Sequence, residues 1–178
     1  MVRIQQDGKL VFSEAVGWRD KEARDPMRED SIFRIASQTK ALTSVAVMML
    51  MEEGRLALED PIGKYLPELA HMQVFTGGTA QAPQLRPAKR PITIRHLLTH
   101  TAGFAVSEKP SDELTRLYAS TDLDASPDLV TYVAKLGRLP LAADPGERFG
   151  YDGASTEPLA RLVEVVSAIP LDEFLRKR

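Results

Sequence analysis

Ile32-Phe33-Arg34-Ile35-Ala36-Ser37-Gln38-Thr39-Lys40, running on through Ala41–Glu53, is the segment from which the architecture of this chain follows. Ile32 to Ala36 is a short, strand-like apolar approach. A strongly apolar run follows, which predicts a long helix over roughly Ser37 to Glu53, closed by Gly54 where helices often end. Ala41, Val45, Met48 and Met49 point to a helix buried on most sides. Side chains three residues apart share a helix face, so the Ser37 hydroxyl and the Lys40 amine can meet within hydrogen-bond reach. An alcohol is a weak nucleophile until a neighbouring base takes its proton. A lysine buried beneath such a helix holds its own proton less tightly and can serve as that base. Ser37 also stands at the helix start, where its backbone N–H would be unpaired and able to hold a developing oxyanion. S-x-x-K alone is weakly specific in a chain of ten serines. The plainer reading is a helix cap followed by a surface lysine, and the apolar surroundings of the motif argue against it.

Working outward, Val2–Gln6 and Lys9–Trp18 are expected as strands joined by a two-residue turn at Asp7-Gly8. Arg19–Asp30, mixed in charge and holding Pro26, is expected as a solvated loop. Helix-start signals recur downstream. Asp60-Pro61 and Ser126-Pro127 each place a cap before a first-turn proline, the second helix stopping at Gly137. Thr93 can cap Ile94–Thr101 ahead of Gly103, and Ser111-Asp112-Glu113 opens a further short helix. Thr156–Ser167 carries Leu159, Leu162, Val163 and Val166 as a helical stripe. Met72–Pro91, rich in Gly, Gln and Pro, is expected as a long loop of the kind that rims functional sites.

The expected fold is α+β, with residues 1–36 supplying the N-terminal strands of an antiparallel sheet. Residues 37–178 then form a mostly helical subdomain that begins with the Ser37 helix. An isolated two-stranded hairpin is marginal in water. The chain also stops at Arg178, inside what reads as an amphipathic helix begun at Pro170. The expectation is therefore the N-terminal half of a larger protein, its C-terminal strands missing from this chain. The Lys177-Arg178 end suits trypsin-like cleavage or deliberate truncation equally well.

Composition narrows the function classes. The chain has 178 residues, 43% hydrophobic and 27% charged, with a net charge of −2. That balance gives no electrostatic reason to expect nucleic acid or an anionic membrane as partner. Cysteine is absent, which excludes disulfides and all-Cys metal sites and fits a reducing compartment. No secretory signal is visible at Met1–Gln6, and Ala41–Met51 falls far short of the ~20 apolar residues that span a bilayer. A cytoplasmic protein is expected, although a signal already removed would leave the same sequence.

Nucleophile-elbow, P-loop and H-E-x-x-H signatures are absent. His96 and His100 stand four apart on an expected helix, as two metal ligands would. No Glu, Asp or Cys at ligand spacing accompanies them, which favours packing or hydrogen bonding over a metal. No cofactor is expected.

Phe33-Arg34-Ile35-Ala36-Ser37-Gln38-Thr39-Lys40 resembles the nucleophile motif of the serine β-lactamase and penicillin-binding-protein superfamily. Glu53-Gly54-Arg55-Leu56, Leu58-Glu59-Asp60-Pro61 and Tyr65-Leu66-Pro67 continue the resemblance. So do the segment from Ile92 to Gly103 and Pro145-Gly146-Glu147-Arg148-Phe149-Gly150-Tyr151. Together they are most similar to the branch holding class C β-lactamases and family VIII carboxylesterases, over nearly the whole chain. The fold implied is the β-lactamase/transpeptidase one.

By that resemblance Ser37 is the acylated nucleophile, Lys40 its proton partner, and Tyr151 the tyrosine of the Y-x-N element that helps move the proton. A phenol titrating near about pH 10 is a usable base only beside a cation, which Lys40 would supply. Gly153 stands at the substrate-binding position where relatives carry asparagine. Its bareness disfavours β-lactam and amide turnover and favours simple esters. Ala102 replaces a serine common in the H-T-S-G element, a minor change. The family's third motif, on a strand that supplies the second oxyanion N–H, lies outside this chain; one such donor is worth on the order of 10²–10³ in rate. The chain alone is therefore expected to be nearly inactive.

The function implied is a serine hydrolase working through an acyl-enzyme, most naturally a carboxylesterase on short-chain esters. The alternatives are a β-lactamase, D-amino-acid peptidase or acyltransferase of the same superfamily, or a non-catalytic β-lactamase-like binding protein. The expected partners are a small ester (or β-lactam) substrate and the missing C-terminal half as a second chain or segment.

Overall fold

Asp7 and Gly8 both take positive φ, 49° and 75°, the left-handed pair that a two-residue turn between right-twisted strands requires. They join β1 (Val2–Gln6) to β2 (Lys9–Glu14) in an antiparallel pair with Gln6 opposite Lys9. β2 ends at Glu14, short of the expected Trp18. Gly17, at φ 82°, turns the chain, and Trp18–Asp20 forms a separate strand, β3, paired with β4 (Asp25–Pro26). The segment expected as a loop is therefore itself a small hairpin, with Asp25 holding both Arg19 and Arg28. The computed structural model describes residues 1–105 and 112–178. These strands make up the first of its two units, Met1–Ala36, the second being Ser37–Arg178. Two strands alone create no enclosed face, and accordingly Val2, Ile4, Leu10, Val11 and Phe12 are all exposed.

The second unit is built on α1 (Gln38–Glu52), a helix of good formers unbroken by Gly or Pro. Gly54, at φ 71°, ends it. The Gly54 N–H reaches the Met51 carbonyl at 2.9 Å and the Arg55 N–H the Leu50 carbonyl at 3.0 Å, the paired bonds of a Schellman stop. Thr43, Ala46, Val47 and Leu50 are buried along one face, whereas Ala41, Leu42 and Val45 are exposed. α1 is thus buried on one side rather than on most sides. An apolar composition does not choose a face; packing against α5 (Thr156–Ser167) does.

α5 also packs on α2 (Ile94–Leu98), α4 (Leu129–Leu136) and α6 (Leu171–Lys177). Val47, Leu50, Ile62, Leu97, Leu162 and Phe174 are sealed in the resulting core. α2 starts as expected, with Thr93 and His96 capping each other's backbone N–H groups. It ends at Leu98, before the expected Thr101, and His100 takes φ 53° just beyond it. α3 (Glu113–Thr121) is capped by Asp112; Ser111 of the expected cap lies outside the described residues.

Two expected helix starts are displaced. Asp60-Pro61 leads only to a single 3-10 turn, Ile62–Lys64, because Pro67 forbids continuation. Asp60 instead ties that turn, accepting from the Ala57 N–H at 3.0 Å and the Tyr65 hydroxyl at 2.5 Å. At Ser126-Pro127 the cap is Asp128, whose carboxylate accepts the Thr131 N–H at 2.7 Å. Gly137 does follow the helix end.

Met72–Pro91 is not a structureless loop. It holds β5 (Gln73–Gly78) and β6 (Pro83–Pro87), an antiparallel hairpin. Its partner beyond itself is Leu141, which bonds Phe75 and Gln73 through backbone groups at 2.9 and 2.7 Å. Asp144 clamps the same region. It accepts two bonds from the Arg86 guanidinium, at 2.9 and 2.8 Å, and one from the Lys89 N–H at 2.9 Å. Among the described residues, no helix is long and apolar enough to cross a membrane.

Candidate functional site

Ala36, at φ 45°, occupies the left-handed region that residues other than glycine rarely visit. The next residue, Ser37, has helical dihedrals (φ −63°, ψ −13°), and its side chain caps no backbone N–H. The hydroxyl is thereby left for other partners. One turn on, the Lys40 Nζ donates to Ser37 Oγ at 3.4 Å, a long hydrogen bond. Among the described residues no acceptor takes the Ser37 N–H.

Tyr151 arrives from the loop before α5. The Gly150 N–H donates to the His100 carbonyl at 2.9 Å, fixing the chain just ahead of the tyrosine. The Lys40 Nζ lies 5.2 Å from the centroid of the Tyr151 ring, on its face. On its other neighbour, His100, the ring centroids are 4.8 Å apart and tilted by 38°. Tyr151 is 44% exposed, so its ring is held by these two contacts rather than by enclosure. A hydroxyl, an amine and a phenol ring thus come together, the last more than a hundred positions from the first.

The two residues that follow the tyrosine, Asp152 and Gly153, line a polar hollow of about 210 Å³ together with Tyr118, Asp124 and Tyr132. Asp152 accepts from the Ser155 N–H at 2.6 Å and its hydroxyl at 3.3 Å. Burial nevertheless pushes its carboxyl above the ordinary range, with Ser155, His100 and Lys40 opposing. Glu157, in the first turn of α5, is also pushed up by burial, and its Oε2 has no partner among the described residues. Tyr118 and Tyr132 are driven upward by burial as well.

Gly153 faces this hollow with no side chain. A Cβ placed there would meet the Glu157 carboxylate oxygens at 3.7 and 3.8 Å. The two histidines separate in role. His96 Nδ1 accepts the Thr93 N–H at 3.1 Å in the α2 cap, while His100 packs on Tyr151. Among the described residues no three His, Asp or Glu side chains gather in a metal-holding group.

Sequence reasoning placed Ser37, Lys40, Tyr151 and Gly153 but passed over Asp152, Glu157 and the stacking of His100. The signal for Asp152 was its place beside Tyr151. For Glu157 none was available, since an acid in a first helical turn is ordinary.

The beta-lactamase family profile matches residues 1–178. The chain belongs to this family. Its fold is accordingly the β-lactamase/transpeptidase-like one, as the resemblance implied. Protein Rv1367c of Mycobacterium tuberculosis (strain ATCC 25618 / H37Rv) is 37% identical across 98% of this chain and 43% of its own length. Esterase EstB of Burkholderia gladioli is 33% identical across 94% of this chain and 44% of its own. Among solved structures, EstCE1, described as a hydrolase with promiscuous acyltransferase activity, superposes with a TM-score of 0.75 at 27% identity. That match covers 96% of this chain and 42% of EstCE1. The chain therefore spans less than half the length of these relatives.

Proposed function

We propose that this chain carries the nucleophile side of a serine hydrolase that works through an acyl-enzyme, with short-chain carboxylic esters as its substrates. The observation that carries the reading is the approach of Lys40 Nζ to Ser37 Oγ at 3.4 Å while the same ammonium lies over the Tyr151 ring. Ser37 attacks the ester carbonyl as its proton passes to the Lys40–Tyr151 pair, and the pair returns a proton to the departing alcohol. The Ser37 N–H is one donor for the oxyanion. Water then releases the acid. Esters are favoured over β-lactams because Gly153 offers no side chain to an amide substrate. The esterase name of EstB supports the same choice. Since the chain spans 43% of Rv1367c and 44% of EstB, we assign the second oxyanion donor to the remainder of the intact protein.

The test is covalent labelling of the intact protein with a fluorophosphonate, read by mass. The expected adduct sits on Ser37 and is absent from Ser37→Ala. A folded wild type that stays unlabelled would replace this reading with that of a non-catalytic binding protein. Turnover of a chromogenic short-chain ester should exceed that of a cephalosporin, and the reverse order would make the protein a β-lactamase first. A second reading, acyl transfer to an alcohol, is favoured by one observation. An open cavity of about 560 Å³ lined by Phe75, Phe104, Leu114 and Phe149, with room for an acceptor alcohol, also touches His100, which stacks on Tyr151, and Gly150, which precedes it.

A further inference from the structure

Tyr151 is 44% exposed, so its placement falls to two ring contacts. The Lys40 ammonium lies 5.2 Å from its centroid, and the centroid of the His100 imidazole lies 4.8 Å away. The ammonium ends a flexible four-carbon stem. The imidazole is anchored on several sides. The His100 N–H donates to the Leu97 carbonyl at 3.2 Å, and its carbonyl accepts the Gly150 N–H at 2.9 Å. Phe149 meets the ring edge-on, at 6.2 Å and 72°. Phe149 and Tyr151, on either side of Gly150, thus bear on one histidine.

His100 sits there at a cost. Its φ is 53°, just beyond α2, where helices most often place glycine. Its Nδ1 is buried with no hydrogen-bond partner among the described residues, a loss for any polar atom taken from water. Glycine would relieve both. Strain of this kind persists where the surroundings over-determine it, and the aromatic neighbours of this ring are Phe149 and Tyr151.

We propose that His100 is a positioning residue for Tyr151: its ring is the fixed surface on which the phenol rests beside Lys40. The proposal rests on the acyl-enzyme reading above. A proton-transfer group must stand within hydrogen-bond reach of its partner, and a displacement of about 1 Å costs up to the order of 10² in rate. Since Nδ1 bonds to nothing, the aromatic face is what counts. Stacking at this separation asks for a ring, not for a nitrogen.

The experiment is a double-mutant cycle on the intact protein, read as kcat and KM for the chromogenic ester. His100→Asn removes the ring while suiting positive φ. It is expected to lower kcat by about tenfold or more, with KM changed far less. His100→Phe should recover most of that loss. In the Tyr151→Phe background, His100→Asn should cost less than about twofold, because no phenol remains to be placed. The full cost in both backgrounds overturns the proposal and leaves His100 a structural residue. Failure of His100→Phe to recover kcat also overturns it. So does a raised KM at unchanged kcat, which would make the ring a wall for substrate in the adjoining cavity of about 560 Å³. Should His100→Asn fail to fold, His100→Gly, equally suited to that φ, takes its place. A wild type that neither hydrolyses the ester nor takes the fluorophosphonate on Ser37 sinks the acyl-enzyme reading, and the proposal with it. An active, labelled wild type with an additive cycle sinks the proposal alone.

Discussion

Asp144 and Glu157 are both carboxylates drawn away from water, and the second unit treats them in opposite ways. Asp144 has a side chain only 4% exposed, answered by two bonds from Arg86 and one from the Lys89 backbone. Those partners hold its carboxyl well below the usual range. Glu157 is pushed the other way by burial and leaves Oε2 unanswered, as Asp152 beside it is pushed up despite Ser155. The first region ties the β5–β6 hairpin to the turn that follows Leu141. The second surrounds Tyr151. Groups whose charge is left partly unsatisfied respond to small changes in their surroundings, which is what the proposed proton transfer at Tyr151 requires.

Three substitutions press on this contrast, in descending order of effect. Tyr151→Phe removes the phenol and should lower kcat by on the order of 10²–10⁴ with far less change in KM; steady-state kinetics on the ester measure it. A near-wild-type kcat would remove Tyr151 from the chemistry and the contrast with it. Asp144→Asn should lower Tm by several degrees at neutral pH, since it leaves Arg86 facing a neutral group. With the folded-state carboxyl held below its ordinary value of 3.8, the stabilisation is present above that pH and is lost as pH falls through the folded-state value. Melting curves of wild type and variant should therefore converge in acid. Glu157→Gln should do the reverse and raise Tm slightly at neutral pH. A carboxyl raised above its ordinary 4.5 costs stability above that pH, and the difference should vanish below it. Equal signs for the two melting shifts would erase the distinction between the regions.

Much of the helical frame was legible from local rules. Gly54 closes α1, Thr93 opens α2 and the Leu159–Val163 stripe marks α5, because capping and period act within one turn. The β5–β6 hairpin was not. Its strands pair with each other and β5 meets Leu141, more than sixty positions away, but a Gly-, Gln- and Pro-rich run shows neither the alternation of a strand nor a distant backbone partner. α1 was read as buried on most sides because Val45 and Met48 are apolar, and yet only one side meets a neighbour. At the site, helical spacing lets Ser37 meet Lys40, but only the apolar surroundings and the family resemblance single the pair out. Tyr151 needed the family resemblance, since no local rule brings a residue from beyond position 150 to Lys40. Glu157 was hidden because its sequence position has a sufficient ordinary explanation.

Gly153 has a consequence for how such a protein changes over generations. Its backbone lies outside the left-handed region that only glycine favours, and a Cβ there would make ordinary contacts. The position is therefore permissive: alanine or serine could enter by one replacement without bending the chain. The Cβ of either would stand 3.7 and 3.8 Å from the Glu157 carboxylate oxygens and leave any longer atoms to the neighbouring pocket. On the proposed function, position 153 is then a place where substrate choice changes through a residue that takes no part in bond making or breaking.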